Sequence, residues 1–108
     1  MATGENKVQK AILDHLHQAG IFAWRQNNGS QYDAKLGFYR SHTGLRGVPD
    51  ILGILPDGRF LGIEVKQKTG VVSPDQLLFI NRCKRLGGVC LVAHSVDEVK
   101  TQLQESLS

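Results

Sequence analysis

Residues 47–66 read GVPDILGILPDGRFLGIEVK, and the rest of the predicted fold is built around this stretch. Two apolar runs flank Pro56-Asp57-Gly58, a tight-turn signature in which proline fixes φ and glycine supplies a positive φ. The pattern predicts a β-hairpin with strands over residues 50–55 and 59–66. Both strands carry apolar residues on both faces, which indicates a sheet that is covered on both sides.

The hairpin brings acidic residues together. If Leu55 pairs with Arg59 across the turn, the register carried outward places Asp50 opposite Glu64. Directly opposed residues point to the same face, and Lys66 shares that face because side chains alternate along a strand. Two carboxylates this close repel each other unless a cation lies between them. The hairpin therefore predicts a site for a hard metal ion.

Length and composition limit the class of protein. The chain has 108 residues, of which 41% are hydrophobic and 21% charged, and we expect one domain over residues 1–108. The sequence contains no apolar run near the roughly 20 residues that span a bilayer, and no signal peptide, so we expect a cytoplasmic protein. The net charge of +3 permits a phosphate-rich partner. Cys83 and Cys90 are too few for a disulfide framework, and we expect reduced thiols.

Helical periodicity before the hairpin predicts a first helix, with an N-cap at Thr3 and a stop at Gly20. A β-rich strand over 21–26 should follow it. The segment 27–46 has no clear period and reads as a long loop, with a short strand within 36–40. Basic and aromatic residues alternate along this loop: Tyr32, Lys35, Tyr39, Arg40, His42 and Arg46. They suit contact with phosphates and bases, but a solvated loop remains an equal alternative.

Two capping boxes predict helices after the hairpin. Residues 73–76 read SPDQ, with serine as N-cap, proline at the first helical position and glutamine three residues after the cap. Residues 95–98 read SVDE and repeat the pattern. Between these helices, the apolar run 89–93 predicts a buried strand parallel to the preceding one, because a helical crossover joins them. The fold class is α/β, a three-layer sandwich with a mixed sheet between helices in the order α-β-β-β-α-β-α.

Four ordered stretches resemble one known family. They are RQNNG at 25–29, GVPD at 47–50, GIEVK at 62–66 and SPDQ at 73–76. The chain resembles the restriction-endonuclease-like nucleases of the PD-(D/E)XK superfamily, and within it the VRR-NUC family, the virus-type replication and repair nuclease domain. The resemblance spans residues 5 to about 95, nearly the whole chain.

The resemblance implies an activity and an assembly. Members are expected to hydrolyse DNA phosphodiester bonds with a divalent metal, Mg²⁺ or Mn²⁺. Stand-alone members from phages, which this chain resembles most, are similar to dimeric Holliday-junction resolvases, so we expect a homodimer that acts on branched or junction DNA. The alternatives are a nickase, flap nuclease or restriction-type enzyme with the same site, a non-catalytic nucleic-acid-binding module, or a structural subunit of a replication assembly.

The resemblance also implies roles for single residues. Asp50 and Glu64 would bind the metal, and the backbone carbonyl of Val65 would be a further ligand. Lys66 would orient the attacking water and offset developing negative charge. Glu5 matches an acidic position on the first helix that joins the metal cluster in resolvase-like members, although a carboxylate in a first turn is also explained by the helix dipole.

Further polar residues are candidates for DNA contact beside Arg40 and Arg46. Lys68 lies on the loop just past the site and is a candidate for phosphate contact, with a solvated lysine as the alternative. Arg25 and Asn28 would lie near the catalytic face if the first strand neighbours the hairpin. Gln76 resembles the family's helical glutamine near the active site, although the capping box alone explains it. Phe79 stands nearest to the place where related nucleases often carry a tyrosine, so no hydroxyl function is expected there. None of the four histidines has metal-ligand spacing, and we assign them neither metal binding nor catalysis.

Overall fold

The computed structural model describes residues 3–26, 31–33, 38–40 and 45–107. Three helices and six strands lie in these ranges. They are α1 (Thr3–Gln18), β1 (Phe22–Arg25), β2 (Gln31–Asp33), β3 (Phe38–Arg40), β4 (Ile51–Ile54), β5 (Phe60–Val65), α2 (Pro74–Arg85), β6 (Val89–Ala93) and α3 (Val96–Leu107). None of the helices in these ranges combines the length and the apolar character that crossing a membrane requires.

The main sheet is mixed, as predicted. Its strand order is β1-β4-β5-β6, with antiparallel pairs on either side of β4 and a parallel pair between β5 and β6. Helix α2 is the crossover between the parallel strands. The strands of the main sheet and the three helices follow the predicted order α-β-β-β-α-β-α along the chain. Strands β2 and β3, which lie in the chain segment that connects β1 to β4, form a separate two-stranded sheet. Strand β3 falls within the predicted strand, whereas β2 was expected to be loop because three residues carry too little alternation to be recognised.

The hairpin has the register that the turn predicts. The Leu55 N–H donates to the Arg59 carbonyl at 2.9 Å, and Ile51 is paired with Ile63. Gly58 closes the turn with φ of 91°, and its N–H donates to the Leu55 carbonyl at 2.8 Å. Carrying this register one residue beyond β4 brings Asp50 opposite Glu64.

The hydrophobic core lies between the sheet and the pair of helices α1 and α3. Aliphatic side chains that project from alternate strand positions fill it together with one stripe from each helix. Its buried members include Ile12, Leu16, Ala23, Ile51, Leu61, Ile63, Leu91, Val99 and Leu103. Helix α2 packs on the opposite face, where the rings of Phe60 and Phe79 have their centroids 6.3 Å apart. The result is the predicted layer of helices on each side of the sheet.

The ends of the helices follow from local sequence. Helix α1 ends in a Schellman motif, in which Ile21 N–H donates to Leu16 O at 2.9 Å and Gly20 N–H donates to His17 O at 3.0 Å. Gly20 has φ of 77°, a left-handed conformation that glycine adopts without strain, so the predicted stop is confirmed. The side chain of Thr3, the expected N-cap, lies outside the described part of the chain.

The two predicted capping boxes differ in outcome. At α2 the box is complete, since Ser73 Oγ accepts from Gln76 N–H at 3.2 Å and Gln76 Oε1 accepts from Ser73 N–H at 2.9 Å. At α3 only half of it forms, with Ser95 Oγ accepting from Glu98 N–H at 3.2 Å. The Glu98 carboxylate instead bonds the backbone and the ring of His94, because an imidazole offers a second donor beside the backbone N–H. The prediction of a second complete box was wrong.

Part of the sheet face that carries α2 is open among the described residues. Phe22 pairs with Ile54, which pairs with Phe60, so these three side chains lie on one face together with Trp24, two positions after Phe22. Their exposed fractions are 66%, 45%, 38% and 37% for Phe22, Ile54, Phe60 and Trp24. We call these four residues the apolar face.

Candidate active site

Asp50 is fixed by both neighbouring strands. Its backbone carbonyl accepts from Gln26 N–H at 2.7 Å, at the end of β1. Its carboxylate oxygen Oδ2 accepts from Val65 N–H at 2.9 Å, at the end of β5. The Asp50 side chain thus accepts a hydrogen bond that a backbone carbonyl of the neighbouring strand would otherwise accept. This bond points the carboxylate toward β5 and toward Glu64.

The turn before Asp50 is held against α2. Gly47 has φ of 76°, and a Cβ built on it would lie 2.3 Å from the Asp75 carbonyl oxygen and 2.7 Å from Gln76 N. Only glycine fits such an approach between two backbones. Gly47 therefore permits the loop to pack on the first turn of α2, and this contact helps to set the position of Asp50, directly before β4.

Glu64 is buried in the sheet beside Asp50. It is 3% exposed, and its Oε1 atom has no hydrogen-bond partner. Burial, followed by hydrogen bonding and charge interaction with the Asp50 carboxyl, raises the pKa of Glu64 to about 9. The charge of Lys66 acts in the opposite direction, so the ammonium lies close enough to favour the ionised carboxylate. The predicted grouping of these three residues is present.

The donor set fits a hard divalent cation. An orphaned oxygen on a buried carboxyl group that lies against a second, half-buried carboxyl group is a costly arrangement, and a cation would relieve it. Mg²⁺ and Mn²⁺ prefer oxygen ligands and keep several waters, so two carboxylates can suffice. Within the ranges that the structure describes, however, no group of three or more histidine, cysteine or acidic side chains is placed to hold a metal.

Glu5 lies near this pair without completing a cluster. Its charge is the smallest of the influences that raise the pKa of Glu64. The first turn of α1 is close to the segment after β5, since a Cβ on Gly4 would lie 3.5 Å from Gln67 Nε2. Ligation of a metal by Glu5 and by the Val65 carbonyl stays a prediction.

The predicted DNA-contact residues are spread around this edge. Arg25 ends β1, Arg46 lies in the turn before Asp50, and Lys68 lies in the turn after β5; all three are exposed. Gln76 is half-buried and its Oε1 atom is engaged in the capping box. Asn28 lies outside the described residues, and of Arg40 only its place in β3 is described.

A cavity of about 630 Å³ lies at the other end of β5. The hairpin turn and α2 line it, with Phe60, Phe79 and Leu86 among its walls. Neither Asp50 nor Glu64 takes part, so this space is separate from the carboxylate pair. Cys83 lines the same cavity, Cys90 is buried, and both are free thiols as expected.

Sequence reasoning missed two residues of this region. Gly47 was part of a recognised stretch, but nothing in the sequence indicates that α2 packs against it. His94 received no role, although it directly follows the buried strand that runs parallel to β5. The signal that could have found it is the predicted parallel pairing, which brings the residue after β6 beside the residue after β5.

Comparisons with known proteins agree on one family. The model of the VRR-NUC domain matches residues 3–97. A solved structure described as a VRR_NUC domain is 27% identical with a TM-score of 0.70, and the alignment covers 95% of this chain and 97% of that one. A second, a VRR_NUC domain protein, is 21% identical with a TM-score of 0.62 over 99% and 90% of the two chains. No curated protein matches the chain.

Proposed function

Since this chain belongs to the VRR-NUC domain family, a nuclease-type domain, we propose that it is a divalent-metal-dependent endodeoxyribonuclease. The single observation that carries the proposal is the pair formed by Asp50 and Glu64, with Lys66 beside it. The orphaned Glu64 Oε1 atom is unfavourable in a structural role, because a buried polar atom without a hydrogen-bond partner costs free energy. Retention of such a group is typical of a functional site.

In this proposal Asp50 and Glu64 hold Mg²⁺ or Mn²⁺, with the Val65 carbonyl and Glu5 as further ligands. The metal, when bound, acts as a Lewis acid on the phosphate and lowers the pKa of water. Asp50 is suited to the role because backbone hydrogen bonds on two sides fix its position. Glu64 would become ionised when the cation replaces its proton, since metal ligands must be deprotonated.

Lys66 would supply a positive charge beside the carboxylates. A lysine ammonium is a compact cation with three donors, suited to orienting the attacking water and stabilising negative charge on the phosphoryl oxygens. Its effect on the pKa of Glu64 supports a position within reach of the same chemistry. Arg25, Arg46, Lys68 and Gln76 would contact the DNA backbone around the edge of the sheet, together with Asn28 and Arg40.

The proposed substrate is branched or junction DNA, cleaved by a homodimer in the cytoplasm. Phage-type stand-alone members, which the sequence resembles, motivate this substrate. The apolar face supports the dimer, because exposed aromatic and aliphatic side chains that lie together usually mark an interaction site. A two-fold dimer would present two equivalent sites to the two strands of a junction.

Cleavage of labelled DNA tests the proposal. Duplex, flap, single-stranded and four-way-junction substrates are incubated with Mg²⁺, Mn²⁺ or EDTA. We expect metal-dependent cleavage, with paired symmetric nicks on the junction, and a loss of at least about 10²–10³-fold in Glu64→Gln. The matched control is Asp14→Asn, which removes a carboxylate from an exposed ion pair with Lys10.

Three outcomes separate the alternatives. Cleavage of flaps or duplex in preference to junctions would retain the enzyme and overturn the resolvase assignment. Tight DNA binding, with no cleavage of the DNA in Mg²⁺ or Mn²⁺, would favour the non-catalytic binding module. Activity that is unchanged in Glu64→Gln would exclude the proposed site.

A further inference from the structure

His94 lies beside the proposed site, opposite Lys66 on the neighbouring strand. Val65 is paired with Ala93 in the parallel ladder of β5 and β6. The Lys66 N–H then donates to the Ala93 carbonyl at 3.0 Å, which continues the ladder by one residue. The next neighbours across the two strands are Lys66 and His94. Adjacent parallel strands are about 4.8 Å apart. His94 therefore lies at the edge of the sheet where β5 ends, close to Glu64 and Lys66.

Glu98 holds the imidazole of His94 through the ring atom Nδ1. Its carboxylate oxygens lie 2.9 and 3.1 Å from His94 Nδ1, and Oε2 also accepts from His94 N–H at 3.0 Å. Because a carboxylate can only accept, Nδ1 carries the proton, and Nε2 is the ring atom turned away from Glu98. Both side chains are partly exposed, at 35% and 41%, so a ligand can reach the ring.

This geometry exceeds what a helix cap needs. Ser95 Oγ caps α3, and the bond from the His94 backbone N–H to Glu98 Oε2 closes the turn without the imidazole ring. An alanine at position 94 would keep both bonds. The contact of Glu98 with the ring is therefore additional to capping. It orients the imidazole, as hydrogen-bonded carboxylates do for metal-binding histidines.

A second observation connects the pair to the predicted DNA-contact residues. The hydrogen bond with His94 lowers the pKa of Glu98, and the charge of Lys68 contributes to the same shift. Lys68 is thus near Glu98 in the turn after β5. Lys66 therefore lies two residues after Glu64 and across the ladder from His94, and Lys68 lies near the carboxylate that holds the His94 ring.

We propose that His94 is a DNA-contact residue whose Nε2–H donates to a backbone phosphate of the substrate strand, and that Glu98 is its positioning residue. The inference rests on the proposed function and adds to it a residue that holds DNA beside the carboxylates. In the imidazolium form the ring bonds Glu98 through Nδ1–H and a phosphate oxygen through Nε2–H. No covalent step is required of it.

DNA affinity and cleavage kinetics, measured separately, test this proposal. Fluorescence anisotropy in EDTA, at about pH 6, gives Kd for labelled junction DNA over a range of salt concentrations. Steady-state cleavage with Mg²⁺ gives kcat and KM. The variants are His94→Ala, His94→Arg and Glu98→Gln. The controls are His15→Ala and Asp14→Asn, which change a histidine and a paired carboxylate on α1.

We expect Kd and KM to rise about tenfold in His94→Ala, with kcat within about threefold, because one charge-assisted hydrogen bond is lost. The slope of log Kd against log salt should fall by about one, and His94→Arg should restore it. Glu98→Gln should raise Kd less than His94→Ala does, since it loosens the ring without removing it.

Unchanged Kd and KM in His94→Ala, or a higher Kd with an unchanged salt slope, would overturn the phosphate contact. A lower melting temperature with normal Kd would show a purely structural pair and would overturn it as well. A wild-type protein that binds DNA and cleaves none would refute the proposed nuclease function, while the Kd measurements would still decide the role of His94.

Discussion

The carboxylate of Asp50 accepts the backbone N–H of Val65 at 2.9 Å, so a side chain from one hairpin strand completes the ladder of the other. This bond ties the first acidic residue to the residue that directly follows the second one, Glu64. The backbone therefore holds the two carboxyl groups together, and burial beside Asp50 raises the pKa of Glu64. Four predictions for variants concern the site, the backbone around it and the apolar face.

The first concerns pH and the metal-free protein. The pKa of Glu64 is raised from 4.5 to about 9 in the folded chain. Between these values the folded carboxyl keeps a proton that the unfolded chain releases, so stability must fall as pH rises. The contribution of this group is at most about 1.4 kcal/mol per pH unit. Urea unfolding in EDTA from pH 5 to 9 should show a steeper decline for wild type than for Glu64→Gln.

Asp14→Asn serves as the control and should keep the wild-type slope, since its carboxylate is exposed. Parallel curves for wild type and Glu64→Gln would contradict the buried, proton-holding state of Glu64. Added Mn²⁺ should flatten the wild-type decline, because a cation stabilises the ionised carboxylates.

The second prediction separates packing from backbone strain at glycine. Gly47 and Gly58 both have positive φ, at 76° and 91°. A Cβ on Gly58 would meet nothing within 4 Å, whereas on Gly47 it would overlap the backbone of Asp75. Gly58→Ala should cost about 1 kcal/mol in unfolding free energy, and Gly47→Ala about 2 kcal/mol more. Denaturant unfolding measures both.

Activity should follow the same division. Gly47→Ala displaces the turn that leads into Asp50 and should reduce cleavage in protein that is still folded, as judged by circular dichroism. Gly58→Ala lies at the opposite end of the hairpin and should leave the rate per folded molecule unchanged. Equal stability losses in the two variants would refute the contact between Gly47 and α2.

The third prediction distinguishes capping from DNA contact at Gln76. Ser73→Ala should destabilise the protein by about 1 kcal/mol through loss of the N-cap. Gln76→Glu keeps an acceptor for the Ser73 N–H and should retain stability. It adds a negative charge, which should weaken DNA binding if Gln76 faces phosphates. An unchanged Kd for DNA in this variant would leave Gln76 with the capping role alone.

The fourth prediction concerns the apolar face. If Phe22 and Trp24 lie in a dimer interface, Phe22→Ser and Trp24→Lys should shift sedimentation from dimer to monomer at micromolar concentration. The control is Leu107→Ser, which changes an apolar residue of α3 that is 47% exposed. A wild-type monomer at all concentrations would refute the dimer, and a dimer that resists both variants would exclude this face as its interface.

Local sequence patterns predicted much of the fold. The turn at 56–58 gave the hairpin register, the capping box at Ser73 gave the start of α2, and Gly20 marked the end of α1. Each rests on bonds between residues that are a few positions apart, which a sequence displays directly. The short strand β2 and the half-formed box at Ser95 were not foreseen, because the first is too short to show a period and the second depends on which donor Glu98 meets.

The position of Asp50 and Glu64 on one face of the hairpin could be derived from the amino-acid sequence, since alternation and turn length fix that geometry. Three further relations became visible in the folded chain: Glu64 is buried with an orphaned oxygen, Gly47 lies against the backbone of α2, and His94 lies beside Lys66. These relations join segments that are distant in the chain. They arise from how helices and strands pack, which no local pattern of residues specifies.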